Sequence, residues 1–139
     1  MTRQQFLRTL STCATGFAAG RAQAQQATRQ TFTYKTAGCE IRADIYGGSE
    51  GGPKPALMWI HGGALIFGNR KGIPPPFLAG LLEQAYAIVS IDYRLAPETK
   101  LPAIIDDVRD AWNWMRAQAG QLGIDRDHVA SLVSMLPGG

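Results

Sequence analysis

The run Trp59-Ile60-His61-Gly62-Gly63-Ala64 holds the residues of this 139-residue chain whose types and order are best suited to chemistry. An apolar segment, Pro55-Ala56-Leu57-Met58-Trp59-Ile60, leads directly into a histidine and two glycines. Glycine tolerates backbone geometry closed to other residues and leaves space beside the main chain. Successive N–H groups can therefore be aimed at one point, where they hold an oxyanion. Losing one such donor costs about 3 kcal/mol of transition-state stabilisation. A glycine pair at a strand end also serves as a tight turn, so the tripeptide alone leaves both readings open.

Other candidate groups are weaker. Asp106 and Asp107 are adjacent, and adjacent side chains on a helix diverge by about 100°, which excludes a shared acid/base pair. Ser131 and Ser134 both lack the glycines two residues away that let a serine stand on a sharp strand-to-helix turn, and they read as strand or tail residues. Beyond the leader described below, only His61, His128 and Cys39 could ligate a transition metal, so no metal site is predicted. No Gly-x-Gly-x-x-Gly opens a helix and no Walker loop is present, so no nucleotide and no other cofactor is expected. Trp59, Trp112 and Trp114 suit packing better than a base-stacking platform.

The elements that must position these residues follow from periodicity. Thr31 to Thr36 and Ile41 to Tyr46 alternate apolar with polar residues across Ala37-Gly38-Cys39-Glu40, which predicts an antiparallel hairpin with one solvated face. Pro55 to Ile60 and Ala87 to Ile91 are continuous apolar runs and predict inner strands. A helix is expected over Phe77 to Tyr86, after Pro74-Pro75-Pro76. A second begins at Leu101-Pro102, with Ile104, Ile105, Val108, Ala111, Trp112 and Met115 on one face and Asp106, Arg109, Asp110, Asn113 and Arg116 on the other. Its acids Asp106 and Asp107 stand where a helix dipole favours them, and Gly120 and Gly123 mark its end. Val129 to Val133 predicts a further strand. Strands alternating with helices after a hairpin indicate an α/β fold with a mostly parallel sheet.

Ile60-His61-Gly62-Gly63-Ala64, then Gly68, then Ser90-Ile91-Asp92-Tyr93-Arg94-Leu95-Ala96-Pro97-Glu98, then Leu101-Pro102-Ala103 and Asp107, resemble the α/β-hydrolase esterases of the hormone-sensitive-lipase and related carboxylesterase groups. The resemblance covers roughly Phe32 to Val129, and the Tyr-Arg-Leu-Ala-Pro-Glu string is its most specific part. It implies the N-terminal half of an α/β-hydrolase fold, in which a hairpin leads into a mostly parallel sheet with flanking helices. It also implies a carboxylic ester hydrolase that works through a serine nucleophile and an acyl-enzyme. By this resemblance the oxyanion hole is formed by backbone N–H groups around Gly62, Gly63 and Ala64, with Ala64 where the family pattern has a third glycine. His61 supports the loop and is not the general base. Asp92, Tyr93 and Arg94 lock the strand end to the helix start by polar contacts, and Pro97 shapes the connection.

In this fold the nucleophile stands in Gly-x-Ser-x-Gly after the next strand, and the acid and the histidine follow it. Here the resemblance is lost after Ala130, so the expectation is a chain truncated before its nucleophile, without a triad and inactive as it stands. A small-molecule ester is the expected substrate of a completed enzyme. The alternatives are a non-catalytic binding or regulatory fragment and a pseudogene product.

Residues 1–24 carry Arg3, Arg8 and Arg21, no acid, a modest apolar run from Leu10 to Gly20, and then Ala22-Gln23-Ala24. This is the layout of an export signal, and Arg3-Gln4-Gln5-Phe6-Leu7-Arg8 resembles the twin-arginine motif with Gln4 for its second arginine, leaving the Tat and Sec routes both open. The expected division is a leader over 1–24, a linker over 25–30 and a partial hydrolase domain over 31–139, with the product periplasmic or secreted. Without the leader's three arginines, eleven bases face eleven acids, so the charge balance gives no support for a nucleic-acid partner. No run is long enough to span a bilayer.

Overall fold

The computed structural model describes residues 29–48 and 51–135. Five strands form one sheet: β1 (Gln30–Thr36), β2 (Glu40–Tyr46), β3 (Lys54–Ile60), β4 (Ala87–Ile91) and β5 (Ile124–Val133). Their order across the sheet is β1-β2-β4-β3-β5, with β1–β2 and β2–β4 antiparallel and β3–β4 and β3–β5 parallel. Helix α1 (Pro75–Glu83) connects β3 to β4, while α2 (Leu101–Ala117) and the short α3 (Ala119–Leu122) connect β4 to β5. The residues of the leader and most of the expected linker lie outside those described.

The continuous apolar runs serve two faces at once. Alternate residues of a strand point to opposite sides of a sheet. Ala56, Met58, Val89 and Ile91 accordingly pack with Ala111, Met115 and Leu122 on the α2 side, while Trp59 and Ile88 pack with Tyr46 and Ile73 on the α1 side, where Phe77 and Leu81 join them. Every residue of β4 is buried, the consequence of its central place between β2 and β3.

Several boundaries and faces differ from the pattern-based expectation. β1 begins at Gln30, and α1 begins inside the triproline at Pro75, since proline is suited to the first helical turn. Gly120 lies within α3, and Gly123, at φ 68°, caps that helix. β5 begins at Ile124, but its pairing with β3 shifts register after Lys54↔Ile124 and resumes at Ala56↔Val129. On α2, Ile105, expected on the apolar face, is 48% exposed, and Asp107 is fully buried. No acid occupies the first turn of α2, so the dipole does not explain Asp107. Its neighbours do, as shown below. In β2 the alternation places Asp44 on a polar face, yet Asp44 is fully buried because a cation from the loop after β3 reaches over it.

Candidate functional site

The parallel strands place the loop after β3 beside the exit of β5. Ile60 pairs with Val133, and the Ser134 N–H donates to the Ile60 carbonyl at 2.8 Å. Ligands of open α/β sheets bind outside the carboxyl ends of the strands, and this loop occupies that position.

Within the loop, Gly63, Ala64 and Leu65 have φ of 112°, 52° and 66°. The Gly63 carbonyl accepts from the N–H groups of Ile66 and Phe67, at 2.9 and 3.2 Å. Gly63 is required, since a Cβ there would lie 2.0 Å from the Phe67 carbonyl oxygen. Gly68 is required as well: at φ 102° it folds back onto the start of the loop, where a Cβ would meet the His61 ring nitrogen Nδ1 at 2.5 Å. The N–H groups of Gly62, Gly63 and Ala64 donate to no acceptor among the described residues.

His61 is buried and stacks on Tyr93, with ring centroids 4.1 Å apart and planes at 7°. Its Nδ1 lies 2.8 Å from the Gly62 carbonyl oxygen. A carbonyl can only accept, so Nδ1 carries the proton and the buried, unpartnered Nε2 is bare. Burial lowers the His61 pKa, although the Gly62 carbonyl and Asp92 pull it upward. The ring is therefore neutral near pH 7, and it is held inside the structure rather than presented to a reactant.

The segment after β4 contacts this loop along its length. The Tyr93 hydroxyl donates to the His61 carbonyl at 2.9 Å, and the Ala96 N–H donates to the Leu65 carbonyl at 2.8 Å. Asp92 accepts from both the backbone N–H and the guanidinium of Arg70, at 2.7 and 2.6 Å. Arg94 turns the other way and grips the buried Asp107 of α2 through Nε and Nη2, both at 2.8 Å, while its backbone N–H adds a third bond. Lys35 of β1 reaches the same carboxylate at 2.9 Å. Burial pushes the Asp107 carboxyl upward, but the bonds from Arg94 and Lys35 outweigh it and hold the group below the ordinary carboxylate range. Burial, with nearby Asp107 and Asp92, raises the Tyr34 phenol far above its usual value, and its hydroxyl donates to the Asp92 carbonyl. Pro97 is exposed and follows a cis peptide bond.

The glycine pattern singled out His61 to Ala64 and the family resemblance Asp92 to Arg94, and the fold brings these two stretches together. Neither gave a role to Arg70, Asp44 or Ser90. An aspartate in the middle of an apolar-alternating strand was the available signal, and its partner 26 residues on could not be found without the sheet.

The remaining candidates lie apart. Asp106 is exposed and pairs with Arg109 at 3.1 Å. His128 pairs with Asp125 at 2.8 Å on the surface of β5, and the backbone N–H of Asp127 together with His128 lowers the Asp125 pKa. Among the described residues no serine hydroxyl bonds to either histidine. Cys39 is exposed and unpaired, and no group of three metal-ligating side chains occurs among the described residues. Nor is any described helix long and apolar enough to cross a membrane.

Comparison with known proteins agrees with this architecture. The family model BD-FAE matches residues 43–134. The esterase LipC of Mycobacterium tuberculosis is 38% identical over 78 residues, which are 56% of this chain and 19% of LipC. The non-reducing polyketide synthase ausA of Aspergillus calidoustus is 39% identical over 106 residues, 72% of this chain and 4% of that protein. Among solved structures, an esterase of Pyrobaculum calidifontis superposes with a TM-score of 0.70 at 27% identity, covering 84% of this chain and 42% of the esterase. The chain thus belongs to the BD-FAE family of α/β-hydrolase carboxylesterases. It spans about two-fifths of that solved esterase and about a fifth of LipC, and what it matches of the esterase structures is their N-terminal part.

Proposed function

We propose that this chain supplies the oxyanion-binding loop of a carboxylic ester hydrolase, with backbone N–H groups of Gly62, Gly63 and Ala64 as the donors and a serine nucleophile carried beyond the described residues. The observation that carries this reading is the set of N–H groups at the carboxyl end of β3, directly beside the exit of β5, that donate to no acceptor among the described residues. An acyl carbon attacked by a nucleophile on a turn after β5 would have its oxygen within the reach of this loop. Donors fixed before the reaction need no reorganisation as charge develops, which is why they lower the barrier. His61 keeps its proton on Nδ1 for Gly62 and takes no proton from a nucleophile. Asp92, Tyr93 and Arg94 act as struts. A small carboxylic ester is the substrate class, and export by the leader over 1–24 is part of the proposal.

The test is the nucleotide sequence beyond the codon for Ala130. One of the three frames is expected to encode Gly-x-Ser-x-Gly, and the protein made through it should hydrolyse p-nitrophenyl acetate in a fluorophosphonate-sensitive manner. The purified 139-residue chain should show no such turnover. Absence of the motif in every frame, or serine-probe-sensitive turnover by the chain alone, contradicts the proposal.

A second reading is favoured by the outer side of β5. There Leu132 and Val133 are 41% and 56% exposed, and beside it, on the α2 face of the sheet, Met58, Ile60, Ile105, Trp112 and Val133 help line a cavity of about 450 Å³. A non-catalytic chain that pairs with another polypeptide along this edge would use that surface. Size-exclusion chromatography separates the two: a stable, defined assembly supports pairing, and aggregation opposes it.

A further inference from the structure

The loop from His61 to Asn69 has little of its own to hold it. Three successive residues, Gly63 to Leu65, have positive φ, and two of them are not glycine. Ile66 and Phe67 are 58% and 49% exposed, so burial does not fix the loop either. Such geometry persists only where surrounding contacts over-determine it. The start of the loop is held by Tyr93 and its middle by Ala96, as described above.

Among the described residues, the hydrogen bonds that tie the end of the loop to the sheet and to the segment after β4 are those of Arg70, through both its main chain and its side chain. The backbone N–H donates to Asp92 Oδ1, and Nη1 donates to Asp92 Oδ2. Nε donates to Asp44 Oδ1 of β2 at 2.9 Å, and the Ser90 hydroxyl of β4 donates to the Arg70 carbonyl at 2.5 Å. One residue is thereby tied to two strands and to the segment that moors the rest of the loop. β2 and β4 are already joined by their own ladder from Ala43↔Ile91 to Tyr46↔Ile88, so the sheet does not depend on this bridge. The loop does.

We propose that Arg70 is a positioning residue for the loop after β3: its guanidinium, spanning Asp44 and Asp92, fixes where the loop returns and hence where the N–H groups of Gly63 and Ala64 point. The inference rests on the reading of this loop as an oxyanion site, and it adds a residue to which no role has been assigned. The fork supplies a separate nitrogen to each carboxylate, Nε to Asp44 and Nη1 to Asp92, where a lysine ammonium would have to serve both from a single nitrogen.

Amide hydrogen exchange on the full chain tests the proposal without requiring turnover. The reporters are the N–H groups of Ile66 and Phe67, bonded to Gly63, and of Ala96, bonded to Leu65, with Met58 and Val89 of the sheet as reference. In Arg70→Met, Asp44 stays buried without its cation, so loop and sheet should both loosen. The decisive variant is Asp44→Asn/Arg70→Met, which removes that stranded charge as well. In it the sheet amides should return to wild-type exchange while the loop amides stay faster by about tenfold or more. Arg70→Lys should lie between wild type and the double variant.

The proposal is overturned by any of four results. These are loop amides at the wild-type rate in the double variant, loop and sheet accelerated equally there, full rescue by lysine, or a double variant that does not fold, which would make Arg70 a residue of the whole fold. Because no catalysis is measured, failure here leaves the hydrolase reading standing, and failure of that reading leaves the exchange result intact.

Discussion

Two arginines hold the carboxyl end of the sheet, and they do so differently. Arg94 places Nε and Nη2 on one carboxylate, that of the buried Asp107, which Lys35 also reaches. Arg70 divides its guanidinium between two carboxylates, Asp44 of β2 and Asp92 just past the end of β4. Around Arg94 the buried acid has two cations; around Arg70 one cation serves two acids, and Asp44 Oδ2 has no hydrogen-bond partner among the described residues. The first arrangement is redundant and ties the segment after β4 to α2. The second has no substitute and ties a strained loop to the sheet.

The largest effect should come from removing the cation without a substitute. Arg70→Met leaves the fully buried Asp44 without a cation, with only the Thr31 hydroxyl donating to it, and should lower unfolding free energy by about 3 kcal/mol, whereas Arg94→Met, with Lys35 still on Asp107, should cost about half as much. Urea denaturation of both variants reads the difference, and equal losses would remove the distinction drawn here.

Acid should dissolve the Arg94 arrangement in a defined window. The Asp107 carboxyl titrates below its ordinary value when folded, so its contribution is complete above about pH 4, the unfolded carboxylate range, and is lost as pH falls through the lower folded value. Asp107→Asn should flatten the pH dependence of stability below about pH 4. An unchanged slope would show that the carboxylate is not held by its cations.

Backbone strain within the moored loop should be smaller. Ala64 at φ 52° costs about 1 kcal/mol that glycine does not, so Ala64→Gly should raise the denaturation midpoint slightly. A lowered midpoint would mean that the methyl makes a contact outweighing the strain.

The smallest effect belongs to His61. Its folded pKa is depressed by burial, so its contribution is complete above the unfolded value of about 6.5 and declines as pH falls below it through the folded value. Ring nitrogen shifts in ¹⁵N spectra at pH 7 should report a neutral imidazole protonated on Nδ1. Protonation on Nε2 would contradict the bond to Gly62.

Much of this arrangement was legible before the fold. The apolar runs of β3 and β4 needed no tertiary information, and β4 runs from Ala87 to Ile91 as its pattern predicts. The stretches His61 to Ala64 and Asp92 to Arg94 were also visible, as neighbours only in a list of motifs. What could not be read was which charged residue is buried. Asp106 and Asp107 are adjacent on one helix, yet one is exposed and the other sealed, because Arg94 and Lys35 converge on the second. Asp44 looked like the polar face of a hairpin until Arg70 was placed above it.

The sequence by itself determined the alternation of strands and helices, the glycines at Gly63 and Gly68, and the family string after β4, because these depend on local period and local backbone geometry. Only the tertiary structure decided which carboxylate meets which guanidinium. The pairs of Arg70 and Arg94 join residues 13 to 26 positions apart, and their strength depends on burial, which no local pattern encodes.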